Sequence, residues 1–392
     1  MDVILQIFLV VLLAKIFGEL SIRLGLPSIL GGILAGIVLG PFFADPNGEI
    51  FLFLAELGAI LLFFTAAYNE VSIRYIQALS KYTLIPTFTH ILVAFVCGYT
   101  LGYIFNLGFL ENIFIGIAFS STSIGSVVNM LISCNYLSKN PGPLVLSSAI
   151  LNNFVGVIML GLIVSVATYQ RLPGGKEILT IISGVVGFLV IMIVLGYKVY
   201  PVLFKYIHRM QIKESIFAFV IIIALVSAYL AEILGLHSVI GAFIGGIFLS
   251  EIPLARIEDI QSKVSGISYG VFIPMFYAFI GMSIDFSILQ TNGLFTIAVI
   301  VLALLGKLFG GYIGSRILKV NSYDSLIFGI GSMPKADVEL VVISIGLSMG
   351  VIGNASYSAI VLMVAISVVV SPLLLKYAIQ AKEGANIGCR GL

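Results

Sequence analysis

The sequence predicts an all-α polytopic membrane protein of about thirteen transmembrane helices, and three observations carry that prediction. Of its 392 residues, 60% are hydrophobic and 10% charged, with a mean hydropathy of +1.18. A soluble fold needs a polar exterior that this composition cannot supply. Apolar runs of about 18 residues or more recur along the whole length, each long enough to cross roughly 30 Å of hydrocarbon as a helix. The basic residues, finally, sort between alternate connections.

The spans fall near residues 2–18, 26–43, 50–68, 83–107, 109–133, 143–168, 178–204, 215–235, 237–251, 267–287, 293–318, 325–350 and 357–380. The first opens on Asp2 and lacks a basic leader and small-residue cleavage site, so it reads as a retained helix. Fifteen of the 20 Lys and Arg, from Arg23 and Arg74 to Lys382 and Arg390, follow odd-numbered spans. Arg171 and Lys176 alone follow even-numbered ones, and Lys15, Lys307 and Lys335 lie within spans. The positive-inside rule then places the N-terminus outside and the C-terminus, with a short tail at 381–392, in the cytoplasm of a cell-membrane protein.

An odd count with a linker span in the middle leaves six spans on either side in opposite orientation, an inverted repeat. The fifth span of each half is the least suited to an unbroken helix. One carries FSSTSIGS, with Ser121, Thr122 and Ser123; the other carries GIGSMPKADVEL, where Pro334 removes a backbone donor. Paired breaks in matching spans point to a binding site at the membrane midplane.

A charge at the bilayer centre costs about 2.5–3.5 kcal/mol on insertion scales, so Lys335, Asp337 and Glu339 need partners or a wet cavity. Lys335 and Glu339 would share a helix face while Asp337 points elsewhere, so one acid is expected to pair with another span, with Lys307 the candidate. Glu56, Lys15 and Glu232 read as structural, and His90 lies in an otherwise apolar helix. Three scattered histidines do not suggest a metal site, and Cys97, Cys134 and Cys389 read as packed or tail thiols. Nothing resembles a nucleophile–base pair, a cofactor motif or a nucleic-acid patch, so neither an enzyme nor a bound cofactor is expected.

FLAELGAILLFF, SSTSIG, Asn152-Asn153 followed by Gly156, LHSVIGAFIGGIFLSE, FIPMFYAFIGMSID, LLGKLFGG and MPKADVELVVISIGL resemble, in order, landmarks of the cation:proton antiporter superfamily. The nearest likeness is to its second branch, the NapA-type sodium/proton antiporters, and it runs from about residue 5 to 380. The resemblance implies one membrane domain, 1–380, with crossed breaks in spans 5 and 12. Residues 83–168 and 293–380 would form a mobile core, and 1–82 and 178–287 a dimer and linker domain. It also implies a homodimer in the lipid bilayer and elevator-type exchange of Na+, with Li+ or K+ as further candidates, for protons. Thr122, with Ser121 and Ser123, lies at the break near the ion. Lys307 matches a lysine of electrogenic members, and Lys335 and Asp337 match a basic-x-acidic pattern, here with Ala336 between them.

At the family's Asp-Asp or Asn-Asp pair, this chain has Asn152 and Asn153. Asparagine offers an amide oxygen to a cation but cannot titrate, so it imitates a protonated acid. Three readings stay open: an antiporter held in a protonated-like, inactive state; an antiporter titrating through Lys307, Asp337 or Glu339; or a proton-uncoupled anion or solute pathway, or a non-transporting sensor, on the same scaffold.

Overall fold

A computed structural model describes residues 3–24, 26–42, 49–70, 81–134, 136–169, 174–287 and 291–383. Asp2, Arg74, Arg171 and residues 384–392 of the tail, with Cys389 and Arg390, lie outside the described residues. Among those described the chain is helical throughout: α1 Val3–Arg23, α2 Ile29–Leu39, α3 Glu49–Glu70, α4 Lys81–Ile104, α5 Phe109–Ser120, α6 Ile124–Ser133, α7 Gly142–Ala167, α8 Gly175–Val194, α9 Tyr200–Ile207, α10 Ser215–Ile233, α11 Ser238–Ser250, α12 Glu258–Ile267, α13 Ile273–Met282, α14 Gly293–Ile317, α15 Ser322–Gly331, α16 Val338–Ser348 and α17 Asn354–Glu383. Short π turns at Leu195–Val199 and Ser268–Phe272 join α8 to α9 and α12 to α13. Among the described residues, ten segments are long and apolar enough to cross a membrane. The spans expected at 26–43 and 237–251 are shorter apolar helices, and the one at 325–350 is divided into α15 and α16.

The chain divides into two compact units, one of residues 1–12, 39–78 and 161–279, the other of residues 13–38, 79–160 and 280–392. In the first, α3 packs on α11 and on the π turn after α12. Hydrogen bonds hold it, among them Thr65 Oγ1 to Ser268 Oγ at 3.0 Å, Asn69 Nδ2 to Ser265 Oγ at 3.0 Å, Ser238 Oγ to Glu56 at 3.0 Å, and the Tyr68 hydroxyl to the Ala255 carbonyl. Glu56 is thus structural, and His237 caps α11, its Nδ1 accepting from Val239 N. Cys97 is a free thiol.

The second unit is organised around α14, which packs against α4, α15 and α17. Glycines at intervals of four residues permit the approach. A Cβ at Gly310 would lie 2.6 Å from the Cα of His90, one at Gly314 2.6 Å from the Cα of Pro86, and one at Gly311 2.8 Å from the Cα of Gly329. Membrane helices lack a hydrophobic drive toward one another, so close backbone contact of this kind supplies the dispersion energy that holds them. It also seats Lys307, one turn before Gly311, against His90 of α4 and the end of α5. At one end of this unit Lys382 donates to the Tyr136 hydroxyl and the Asn140 carbonyl, at 2.8 and 2.9 Å, and pairs with Asp324.

Gly310→Ala should lower stability in detergent by about 1–3 kcal/mol through overpacking. Gly187→Ala, at a glycine with no atom in reach of an added Cβ, should be neutral or slightly stabilising. Thermal unfolding of the two variants checks the contrast.

Candidate functional site

Both helix breaks fall in the second unit, and their extended strands are joined. Between α5 and α6 the backbone at Ser121 and Ser123 is extended, with ψ of 162° and 122°. Thr122 Oγ1 donates to the Ser332 carbonyl at 2.9 Å, and the Ser123 amide donates to the Pro334 carbonyl at 2.9 Å. Ser123 Oγ donates to Asp337 Oδ2 at 2.7 Å while accepting from Ser126 N, which caps α6. The four cut ends of two helices therefore meet at Ser121–Ser123 and Ser332–Asp337.

Cut ends are polar. The last carbonyls of α5 lack intrahelical donors and carry the negative end of its dipole. Two lysines fill that need. Lys335 Nζ donates to the carbonyls of Ala118, Phe119 and Ser121 at 3.2, 2.7 and 2.9 Å. Lys307 Nζ donates to the Ser120 carbonyl, to Thr122 Oγ1 at 2.8 Å and to His90 Nδ1 at 3.0 Å. Both lysines are fully buried. At the positive end of α16 stand Asp337, its N-cap residue, and Glu339 in its first turn.

The expected pairing of Lys307 with an acid is corrected by this geometry. The helix end, a hydroxyl and an imidazole take its three N–H groups. Asp337 does reach another span, accepting from Ser123. Glu339 shares no hydrogen bond with Lys335; both its oxygens are buried without a hydrogen-bond partner. Ser121 contributes its carbonyl, since its hydroxyl bonds back to Ile117 and Ala118.

Asn152 joins the cluster from α7. Its Nδ2 donates to the Ser120 carbonyl at 2.8 Å, the same oxygen that Lys307 engages. A carbonyl cannot donate, so an ionised carboxylate at 152 could not make this bond. The side-chain oxygens of Asn152 and Asn153 are buried without partners. Buried acceptor oxygens without a donor are costly in a low-dielectric site, and water or a cation can satisfy them.

Sequence reasoning missed His90. It is fully buried, and its Nε2 lies 3.0 Å from Ser148 Oγ, which in turn is 2.7 Å from Thr87 Oγ1. The signal lay in two polar stripes at helical spacing, Thr83–Thr87–His90 on α4 and Ser148–Asn152 on α7.

Residues 8–379 match the family model described as sodium/hydrogen exchanger, transmembrane. The chain belongs to that family. Its relatives within the exchanger family include the Na(+)/H(+)-K(+) antiporter GerN of Bacillus cereus, 31% identical over 97% of both chains. The Na(+)/H(+) antiporter of Enterococcus hirae is 29% identical over 94% of this chain and 96% of its own. Among solved structures, the sodium proton antiporter MjNhaP1 of Methanocaldococcus jannaschii superposes with a TM-score of 0.71 at 18% identity, covering 99% of this chain and 98% of its own. That likeness fixes the fold as the antiporter fold. The protein is accordingly a multi-pass membrane exchanger-family member, and the family is one of transporters rather than enzymes.

Lys335→Met should lower the unfolding free energy in detergent by about 3 kcal/mol or more, because it strips the donor from three buried carbonyls. Glu339→Gln, at a carboxylate with no hydrogen-bond partner, should cost clearly less. Denaturation of both variants under identical detergent conditions tests the ordering.

Proposed function

We propose that this chain exchanges monovalent cations, Na+ first and Li+ or K+ as further candidates, for protons across a cell membrane. One observation carries the reading: the Lys307 ammonium rests on Ser120 O and Thr122 Oγ1, beside the unpartnered amide oxygen of Asn152. These are the oxygens a dehydrated cation would take. A protonated Lys307 fills them and repels a second positive charge; a neutral one vacates them. Proton and cation thus exclude each other through competition for ligands, without a titrating acid at 152 or 153.

Asn152, Asn153 and Thr122, with Ser121 and Ser123 at the break, form the ion site in this reading. Lys307 is the coupling group, and Lys335, Asp337 and Glu339 balance the helix ends. The unit holding both breaks serves as the transport core of an elevator-type exchanger. The other serves as the scaffold of a homodimer in the bilayer. Loop charge supports an N-terminus outside and a C-terminus in the cytoplasm. The anion pathway has less support, because the three N–H groups of Lys307 and the three of Lys335 all have protein acceptors.

In proteoliposomes with an imposed pH gradient, adding Na+, Li+ or K+ should dissipate the gradient, and Lys307→Gln should slow the response at least tenfold. Inertness of the unaltered chain to all three cations, or chloride flux in their place, would remove the antiport reading.

A further inference from the structure

We propose that the outward face of α9, with the π turn before it, binds anionic glycerophospholipid, its headgroup phosphate held by Lys198, Lys205 and Arg209. The site belongs to the unit that carries neither helix break, and it does not depend on how exchange is coupled.

α8, the π turn and α9 run on as one helical segment, Gly175–Ile207, of 33 residues. At 1.5 Å per residue it is about 50 Å long, whereas the hydrocarbon is roughly 30 Å thick. The 20 residues of α8 match that thickness, so the π turn and α9 reach the headgroup layer. There the composition changes. Between Glu177 and Glu214 the sequence contains no acid, and its four basic residues, Lys198, Lys205, Arg209 and Lys213, all follow α8.

α9 has two faces. Tyr200, Phe204 and Ile207 are buried against the protein. Lys205 and Arg209, four residues apart, and Lys198, seven before Lys205, fall on the opposite side by helical spacing, and all three are exposed. Tyr197, Val202 and Tyr206, exposed 60%, 50% and 65%, interleave with them. Bulk water does not favour so much apolar area, whereas tyrosines and the long stems of lysine and arginine suit the boundary between hydrocarbon and headgroups.

The charges on this face are also bare. Several basic residues elsewhere have acids beside them: Arg23 pairs with Glu19 at 2.9 Å, and Lys263 with Glu214 and Asp259 at 2.8 and 2.7 Å. Among the described residues, Lys198, Lys205 and Arg209 have no such acid. Loop charge orients spans without needing a single unpaired stripe. Such a stripe, set beside exposed apolar side chains, complements a phosphodiester whose acyl chains lie along α8, of whose segment only 11% of the most apolar stretch is buried. In the orientation proposed above this end meets the cytoplasmic leaflet, which carries anionic lipid.

The chain has no tryptophan, so Tyr197→Trp introduces a single fluorophore at this face, and Tyr103→Trp introduces one at an exposed position of α4 instead. Each full-length variant is reconstituted in vesicles mixing phosphatidylglycerol and phosphatidylcholine, with one lipid or the other carrying brominated acyl chains. Quenching then gives the relative affinity of the two lipids beside the fluorophore. Phosphatidylglycerol should be favoured about fivefold or more with Tyr197→Trp, and less than about twofold with Tyr103→Trp. Adding Lys198→Gln, Lys205→Gln and Arg209→Gln together to Tyr197→Trp should erase the preference, whereas adding Lys198→Arg and Lys205→Arg should keep it. Inorganic phosphate should leave it unchanged. Equal preference with the two reporters, which would mark a general effect of the membrane, would overturn the proposal. So would a preference that survives the triple neutralisation, one lost in the charge-preserving pair, or one abolished by inorganic phosphate.

Discussion

Two helices are cut inside a region that has no water to repair them, and the structure depends on how the cut ends are satisfied. Every interrupted turn leaves carbonyls and amides that lipid cannot bond. Here the carbonyls of Ala118, Phe119, Ser120 and Ser121 receive the two buried ammonium groups and the Asn152 amide. The strand of one break donates to the carbonyls of the other through Thr122 and Ser123. Neither interruption could stand alone.

The same arrangement explains how three buried ionisable residues and the half-buried Asp337 are tolerated. Lys307 and Lys335 lie at the negative end of a helix, and Asp337 and Glu339 at the positive end of another, so each charge meets a fixed dipole of opposite sign. Such dipoles are fixed by the fold, so they hold these charges with little reorganisation. The glycine stripe of α14 supports this, since a side chain at Gly310 or Gly311 would hold the backbone of α4 or α15 away from α14.

Asparagine at 152 and 153 takes on a different meaning in this setting. A pair of carboxylates would bring a cation to the site by charge. A pair of amides supplies oxygens without charge, and Asn152 also supplies a donor that an ionised acid lacks. Lys307 and the imidazole hydrogen-bonded to it lie beside these amides as groups that can still titrate. GerN, at 31% identity, shows how much of the surrounding sequence is shared with a named antiporter.

The sequence by itself determined the all-helical membrane architecture, because span length and apolarity are set by the thickness of hydrocarbon. It also located both breaks, because Pro334, the glycines and the run of hydroxyls disfavour a continuous helix. It singled out Asn152, Asn153, Thr122, Lys307, Lys335, Asp337 and Glu339 as polar groups where none is cheap. Their partners it could not assign. Charge pairing suggested Lys307 with an acid, whereas the fold gives it a helix end, a hydroxyl and His90, residues contributed by α5, the first break and α4. A lone histidine in an apolar helix carries no sign of what faces it. Only the packing of α4 on α14, with Ser148 of α7 alongside, turned it into part of the site, since hydrogen-bond partners across helices depend on rotation and depth that no single segment encodes.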